Sequence, residues 1–380
     1  MEAQAAGLVL RVFGDLPDPR AGNARHRLMD MLTIAILAVI GGADDVEAIC
    51  AYGEDERQWL AGFLKLPHGI PSPSTFRRLF ARLDPDALEQ CFARWFAELI
   101  KTCRGKQIAI DGKTLRRSFE QAWAKLGLHM VSAWCVEEQL VLGQVATEQK
   151  SNEISAVPQL LDLLDLQGAI VSVDALNCQK DIAQRIISAG GQYLMAVKDN
   201  HPILHQQIQN LMQEALLENS PLLQGTGREL EREHGRSDER WVFCSSELVQ
   251  WVGQRDQWPA LASVVMVKSR RRTLTDDKTE WRYFISSLGG NNPQLFADLI
   301  RGHWGVENGL HWGLDVSFQE DQSRIGKDHG AETMSVLRRI ALNLLKQQRT
   351  CRLGIKNKRL KAARSRDYLL RVLTQHPVTK

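Results

Sequence analysis

The sequence lacks the cysteine spacing of a disulfide framework or a zinc finger. Its seven cysteines are scattered over 380 residues, none forms a CxxC pair, and their number is odd. Cross-linked secreted domains and cysteine-ligated metal sites use paired, closely spaced cysteines. Neither class fits this chain, which has enough residues, 44% of them hydrophobic, to bury large cores in two or three domains.

Long apolar runs are also absent. The most apolar stretch, MLTIAILAVIGGA, starts at Met31, contains Thr33 and ends in glycines. It is well short of the ~20 residues that a membrane span needs, so we predict a buried helix and no membrane partner. The N-terminus shows no charged start, apolar middle and small-residue cleavage site, and we therefore expect a protein that is not exported.

The sequence also lacks a large net charge. Its formal net charge of +3 at pH 7 is too small to identify a partner. The distribution is more informative. From Lys346 to Arg371 there are ten Lys and Arg residues and a single acid, Asp367. Such a run suits a polyanion, and an ordinary solvated helix is the alternative.

The first hundred residues have helical periodicity. Apolar residues recur at intervals of three and four over 32–51, 59–64 and 76–100. The Pro- and Gly-rich stretch LPHGIPSPST at 66–75 is predicted as a loop, with Ser74 or Thr75 as the N-cap of the next helix. This pattern predicts a helical N-terminal domain over residues 1–100. If the polyanion is DNA, we expect this domain to take part in binding it.

Strand patterns begin at Gln107. QIAIDGKTL, LHMVSAWCV and LVLGQVATE predict three antiparallel strands, followed by a helix, the strand AIVSVDAL, a helix over 181–189 and the strand QYLMAVK. Strands alternating with helices imply parallel crossovers. We predict an α/β fold with a ribonuclease H-like mixed sheet and flanking helices. The first part of this α/β domain spans 101–218 and its last part spans 293–348. A β-rich insertion at 219–292 separates them, and a basic helical tail follows at 349–380.

Two aspartates stand near the ends of predicted strands. Asp111 follows IAI in the first strand, and Asp174 follows IVSV in the fourth. In the predicted topology these strands are parallel neighbours, so both carboxylates should emerge at one edge of the sheet. An aspartate in such a place is often a turn former or a helix cap, and that alternative stays open for each residue taken singly.

Glu307 is the third candidate, in the stretch RGHWGVENGLHWGLDV. A helix through this stretch carries Gly302, Gly305, Gly309 and Gly313, which together cost about 4 kcal/mol relative to alanine. We expect close packing of this glycine band against the sheet to compensate, with Glu307 presented to the two aspartates. Three carboxylates without cysteine suit Mg²⁺ or Mn²⁺, and two such ions can drive phosphoryl transfer on nucleic acid.

A zinc site is the rival interpretation of the same stretch, because His303, Glu307 and His311 fall at intervals of four. A third interpretation makes both histidines partly buried, hydrogen-bonded core residues beside Trp304 and Trp312. The two tryptophans are predicted as core residues, with stacking on a displaced base as the alternative.

A series of blocks resembles one known family. They are, in order, DLPDPR, IAILAVIGGADD, LPHGIPSPSTFRRLFARLDP, IAIDGKTLRRSF, KSNEISAVPQLLDLLDLQGAIVSVDALNCQKDIAQRI, GGQYLMAVKDNH, HWGVENGLHWGLDVSFQEDQSRI and LRRIALNLLK. Together they cover nearly the whole chain and resemble the insertion-sequence transposases of the H-repeat-associated (ISAs-type) group, which have a DDE catalytic domain.

The resemblance implies a DNA transposase. Its three acids would be Asp111, Asp174 and Glu307, acting with two Mg²⁺ or Mn²⁺ ions to cleave the ends of an insertion sequence and join them to target DNA. It further implies a homodimer in the active complex, a bacterial cytoplasmic location at the nucleoid, and a set of DNA-path residues: Lys113, Lys150, Asn152, Lys198, Asn200, His303, Asn308, His311 and Arg324.

Four positions depart from the family pattern. Asn177 stands where DAMGCQ has glycine, Asp199 and His201 stand where KGNQ has glycine and glutamine, and Gly326 stands where a basic residue follows SRI. We expect Asn177 to be strained if that glycine is left-handed. The alternative functions are a decayed copy acting only as a DNA-binding protein and a metal-dependent nuclease without strand joining.

Overall fold

The computed structural model describes residues 2–20, 22, 24–99, 103–115, 128–147, 153–226, 229–233, 236–273 and 275–374. Its α-helices are α1 Glu2–Phe13, α2 Leu28–Ile40, α3 Val46–Asp55, α4 Arg57–Leu60, α5 Pro73–Phe80, α6 Pro85–Leu99, α7 Glu153–Asp162, α8 Lys180–Ser188, α9 Pro202–Leu217, α10 Pro293–Val306, α11 Trp312–Phe318, α12 Gly330–Gln347, α13 Ile355–Arg364 and α14 Arg366–Thr374. A π-helical turn, Glu307–His311, separates α10 from α11.

Ten strands form one mixed sheet in the order β3-β2-β1-β4-β5-β10-β9-β8-β6, with β7 also paired to β8. The strands are β1 Gln107–Thr114, β2 His129–Cys135, β3 Leu140–Thr147, β4 Ile170–Val173, β5 Gln192–Val197, β6 Gln224–Gly225, β7 Glu229–Glu233, β8 Arg236–Ser245, β9 Ser263–Arg272 and β10 Asp277–Ser286. The mixed α/β architecture expected from the sequence is confirmed.

The first five strands pair as their sequence pattern predicts. β1 is antiparallel to β2, β2 is antiparallel to β3, and β4 is parallel to both β1 and β5. Alternation along β1 sends Ile108 and Ile110 into one apolar core and Ala109 into another on the opposite face. The sheet is therefore covered on both faces, which leaves its strand ends as the place for polar side chains.

The β-rich segment at 219–292 continues this sheet. β10 pairs antiparallel with β5, matching Tyr283 with Val197, and β9 and β8 follow outward. Because the segment shares the sheet, α10 packs against β1, β4 and β8 alike. The helix that leads to Glu307 is thus held by both parts of the sheet.

The N-terminal helices share a core with the C-terminal ones. The predicted buried helix is α2, whose residues from Met31 to Ile40 are all buried, and it packs against α12. No helix among the described residues is both long enough and apolar enough to cross a membrane. Packing of α2 and α6 on α12 ties the helical start of the chain to the catalytic region.

Two details of the helical start differ from the prediction. The N-cap of α5 is Ser72, whose hydroxyl accepts a hydrogen bond from Thr75 N, rather than Ser74 or Thr75. The predicted helix over 76–100 is broken into α5 and α6, and Pro85 starts α6. Proline is favoured at the first turn of a helix, where it needs no N–H partner, and costs a hydrogen bond in a helix interior, so the new helix begins at Pro85.

The basic C-terminal segment is partly buried rather than fully solvated. Lys358 Nζ donates to the carbonyls of Leu345 and Gln348 at the end of α12. Arg359 donates to Val39 O at the end of α2 and to Asp44 Oδ1 at 2.8 Å. Both cations neutralise the negative end of a helix dipole, so these members of the basic run hold helices together.

Candidate active site

Asp111 and Asp174 lie side by side at one edge of the sheet. Ile110 of β1 is paired with Val173 of β4 in the parallel ladder, and each aspartate is the next residue along its strand. Parallel neighbours bring the residues that follow a paired position to the same edge. The structure therefore places these two acids together as the strand pattern predicted.

Asp111 is surrounded by negative charge. Burial raises the pKa of its carboxyl to about 7, and the negative charges of Asp174, Glu153 and Glu307 add to this increase. The hydrogen bond from the backbone N–H of Gly112 acts in the opposite direction and lowers the pKa. Glu307 is thus near enough to Asp111 for its charge to contribute to this increase. A cluster of this kind is costly unless positive charge compensates it.

Glu307 begins the π-helical turn and is exposed. The sequence predicted one continuous helix through this stretch, and the structure instead inserts a π turn between α10 and α11. Such single π turns are rare and occur mainly at functional sites, because the extra residue changes where the following side chains project. The turn at Glu307–His311 therefore sets the direction of the glutamate and of the residues after it.

Only two of the four glycines at 302, 305, 309 and 313 allow close packing of this stretch against its neighbours. A Cβ on Gly302 would collide with Gln107, and one on Gly309 would lie 3.0 Å from Trp134 Cζ2. In contrast, a Cβ on Gly305 would meet nothing within 4 Å, and one on Gly313 would be in ordinary contact with a leucine. The expectation that all four glycines permit close approach is wrong for Gly305 and Gly313, which face away from the sheet contact.

The acids are suited to a divalent cation by their chemistry. They supply oxygen donors only, and their mutual repulsion is what a bound cation would relieve. Within the part of the chain that the structure describes, no group of three or more His, Cys, Asp or Glu side chains is already arranged to hold a metal ion. This applies equally to the three acids Asp111, Asp174 and Glu307 and to the zinc alternative built on His303, Glu307 and His311.

A buried polar network borders the acids and was missed from the sequence. Glu153, the first residue of α7, contacts His129 Nε2 of β2 through Oε2 at 2.9 Å and accepts from Asn177 Nδ2 through Oε1 at 2.6 Å. Asn177 also donates to Asp174. Glu153 stands at a helix start, where an acid is common, and His129 stands in an apolar strand, so neither position gave a distinctive signal.

Lys113, predicted to line a DNA path, is directed at three carboxylates. Its Nζ is ion-paired with Asp315, with Glu320 Oε2 at 3.4 Å and with Asp321 Oδ1 at 3.4 Å, and its side chain is 10% exposed. Burial alone would raise the pKa of Glu320, but the charges of Arg339, Lys113 and Arg338 lower it to about 2. This cluster joins β1 to α11, which carries Asp315, and to the turn that follows it.

The loop after β5 is part of the same edge. Asn200 Nδ2 donates to Ala175 O at 2.6 Å, directly after Asp174, and the imidazole of His201 contacts Cys178 O at 2.6 Å. Lys198, Asp199 and Asn200 are all exposed. Lys198 and Asn200, which were predicted to line the DNA path, therefore lie on a surface loop next to the segment that follows Asp174.

The two histidines of the 301–316 stretch are mostly buried. His303 Nδ1 is hydrogen-bonded with Ser172 Oγ at 3.0 Å, and His311 Nδ1 lies 3.6 Å from Asp111 Oδ2. Burial lowers the pKa of each imidazole to about 4. Neutral imidazoles are poor phosphate ligands. His303 matches the interpretation of a hydrogen-bonded core residue, whereas His311 is buried but its Nε2 has no hydrogen-bond partner among the described residues.

The tryptophans beside them have different surroundings. The guanidinium groups of Arg240 and Arg282 both lie over the ring of Trp304, at 4.7 and 4.6 Å from its centroid. Trp312 is 61% exposed, so its prediction as a core residue is wrong. The start of α11 presents Trp312 to solvent because the opposite side of that helix, at Leu314 and Phe318, faces the core.

Four predicted DNA-path residues remain, and two of them are described by the structure. Asn308 is exposed next to Glu307, and Arg324 is exposed in the loop before α12. Arg324 lines a groove of about 990 Å³ whose opposite wall carries Arg78 and Arg82, on and just after α5. Lys150 and Asn152 lie outside the described residues.

Asn177 is not strained. Its backbone is not among the positive-φ residues, and its side chain is fully buried and used in hydrogen bonds. The expectation that asparagine would require an unfavourable angle here is therefore wrong. The position tolerates a side chain and gives it two carboxylate partners.

Comparisons with known proteins identify the family of this chain. Residues 10–96 match the family model described as DDE_Tnp_1-associated, and residues 103–344 match the one described as transposase DDE domain. The Escherichia coli O157:H7 protein named "Putative transposase YncI" is 38% identical over 362 residues, covering 94% of this chain and 92% of its own length. The Escherichia coli K12 protein named "H repeat-associated putative transposase YhhI" is 36% identical over 372 residues, covering 94% and 95%.

A solved piggyBac transposase synaptic complex with hairpin DNA is 10% identical with a TM-score of 0.42, over 100% of this chain and 80% of that one. That likeness is too distant to bear on fold or function. The family models and the relatives, by contrast, span most of the sequence and confirm the family resemblance. The chain belongs to the transposases with a DDE domain.

Proposed function

We propose that this transposase cleaves the ends of its insertion sequence and joins them to target DNA, with Asp111, Asp174 and Glu307 as its catalytic acids. The observation that supports this most is the adjacency of Asp111 and Asp174 beyond the paired residues Ile110 and Val173, with the charge of Glu307 acting on Asp111. The order β3-β2-β1-β4-β5 supports a ribonuclease H-like fold for this part of the sheet.

The three acids would hold two Mg²⁺ or Mn²⁺ ions. When bound, such ions activate the attacking water or 3′-hydroxyl and stabilise the leaving oxygen. The role of the chain is to position the carboxylates: the β1 and β4 ends fix the aspartates, and the π-helical turn directs Glu307. The negative cluster would otherwise repel a phosphodiester, so activity is expected to depend on the cation.

DNA would approach across the groove between α5 and the loop before α12. Five cations line it, and all of them are exposed: Arg77, Arg78, Arg82, Arg324 and Lys327. Four acids share the lining, Asp44, Asp45, Glu47 and Asp328, and Arg77 is ion-paired with Glu47. Phosphate contacts of this kind give affinity that falls with salt, by a slope of about 0.9 per phosphate neutralised. Replacing Arg82 or Arg324 by alanine should weaken binding across sequences and reduce that slope by about 1 each.

The active complex would be a homodimer that brings two element ends together in the bacterial cytoplasm, at the nucleoid. The test uses supercoiled plasmid carrying the element's flanking inverted repeats, incubated with Mg²⁺ and either wild type or Asp111→Asn. Cuts at the ends with joined products, lost in the variant, support the proposal. Binding without cleavage would indicate a catalytically impaired DNA-binding copy, and scattered nicks would indicate a nuclease without strand joining.

A further inference from the structure

We propose that Glu153 and Asn177 are positioning residues that hold the Asp174 carboxylate in the orientation needed for cation binding. This inference assumes the proposed function, because it concerns the same acids. Glu153 acts through Asn177, and Asn177 touches Asp174 directly. Neither residue belongs to the three acids predicted from the sequence.

The contacts fix Asp174 from one side. Asn177 donates to Asp174 Oδ1 twice, from its backbone N and from its side-chain Nδ2, each at 3.0 Å. Two donors on a single carboxylate oxygen restrict rotation of the group about its Cβ–Cγ bond. The Nδ2 group also donates to Glu153 Oε1 at 2.6 Å, so one amide joins the two carboxylates.

Glu153 is itself held on both oxygens. Its Oε2 is 2.9 Å from His129 Nε2, and the other nitrogen of that imidazole is 2.9 Å from Thr114 Oγ1. With Oε1 engaged by Asn177 and Oε2 by His129, this carboxylate serves as an anchor rather than as a ligand. The result is a continuous hydrogen-bonded path from β1 through β2 and α7 to the end of β4.

Burial makes this path rigid. Glu153, His129 and Asn177 are 2%, 1% and 0% exposed. A buried carboxylate is expensive unless it is hydrogen-bonded, so the partners of the two Glu153 oxygens hold that side chain in one arrangement. Among the described residues, Asn177 Oδ1 is buried with no hydrogen-bond partner, and the connection to Asp174 runs through Asn177 N and Nδ2. Groups that orient metal ligands in this way typically account for 10–100-fold in metal affinity or activity.

Gly112 gives a second, independent indication that the network is built into the site. A Cβ at this position, next to Asp111, would collide with His129 Nε2 and lie 2.8 Å from Glu153 Cδ. Only glycine lets the His129–Glu153 pair pack directly against the backbone of β1. The pair is therefore held against the strand that carries one acid and bonded to the residue that orients the other.

The test compares Asn177→Ala with Asn343→Ala. Asn343 is also a fully buried amide, and its side chain is hydrogen-bonded through Oδ1 to Val141 N and through Nδ2 to Val141 O rather than to any of the three acids. Both variants lose buried hydrogen bonds and should lower the unfolding midpoint. The readouts are the Mn²⁺ dissociation constant by calorimetry, the unfolding midpoint, and kcat and KM for Mg²⁺-dependent cleavage.

We expect Asn177→Ala to weaken Mn²⁺ binding by about 10–100-fold and to lower kcat more than it raises KM for DNA, with Asn343→Ala within about twofold of wild type. If Asn177→Ala does not fold, Asn177→Ser, which is too short to reach both carboxylates, replaces it. A Mn²⁺ constant unchanged in the folded variant overturns the positioning role alone. A wild type that neither binds Mn²⁺ nor cleaves overturns the proposed function instead.

Discussion

Removing the charge of Glu320 should destabilise the fold by a predictable and pH-dependent amount. Glu320 and Arg339 are both fully buried, with Arg339 Nη1 2.9 Å from Glu320 Oε1, and Lys113 pairs with the other oxygen. The substitution Glu320→Gln keeps the shape of the side chain. It leaves Arg339 without its buried carboxylate partner and Lys113 with Asp315 and Asp321 alone. Breaking one side of a buried pair typically costs about 3–5 kcal/mol at neutral pH.

The pH dependence follows from the direction of the pKa shift. The pKa of Glu320 is lowered from 4.5 to about 2, so its stabilising contribution is fully present above the unfolded value of 4.5. It is lost as the pH falls from there toward 2, and a shift of this size corresponds to about 3 kcal/mol. The difference between wild type and Glu320→Gln should therefore shrink as the solution is acidified.

The assay is urea unfolding of both proteins at several pH values between 7 and 2. The matched control is Glu98→Gln, which breaks the exposed pair with Arg11 and should cost at most about 1 kcal/mol. A difference in unfolding free energy for Glu320→Gln that is below 1 kcal/mol at pH 7, or that stays constant down to pH 2, would refute the reasoning.

Three further substitutions test the packing around the site and the basic tail. Gly302→Ala should lower the free energy of unfolding by about 1–3 kcal/mol, because the new methyl group displaces the hydrogen-bonded Gln107. Gly305→Ala should be neutral or stabilise by up to about 1 kcal/mol, because a methyl group there meets nothing within 4 Å, and equal unfolding midpoints for the two variants would contradict this. Arg359→Met should cost about 2–3 kcal/mol in thermal unfolding by removing the hydrogen bonds to Asp44 and the end of α2, and an unchanged midpoint would show that this contact carries no stability.

Much of the catalytic region could be predicted from the sequence because its signals are local. Alternating apolar residues define β1 to β5, helices between them require parallel crossovers, and these two facts place Asp111 and Asp174 at one edge. The assignment of Glu307 to the same edge from its glycine-rich surroundings stays a prediction, and only Gly302 and Gly309 of that band make close contacts. The buried helix α2 was equally clear from its apolar composition.

Other features depend on contacts between distant parts of the chain and were not accessible. Lys113 was predicted as a DNA contact because it follows Asp111, and its three acidic partners come from residues some 200 positions later. A π turn has no distinct periodic signal over five residues, so the stretch at 307–311 was predicted as plain α-helix. The continuation of the sheet through β10 depends on pairing with β5, which no local pattern specifies.

Localised cleavage of the protein by bound Fe²⁺ tests the central claim most directly. Fe²⁺ in place of Mg²⁺, with ascorbate and peroxide, generates radicals that cut the backbone close to the ion, and the fragments can be mapped by mass spectrometry. The account predicts cuts near Asp111, Asp174 and Glu307 together, suppressed by excess Mg²⁺ and absent in Asp111→Asn. Cuts confined to one of the three segments, or unaffected by the substitution, would contradict it.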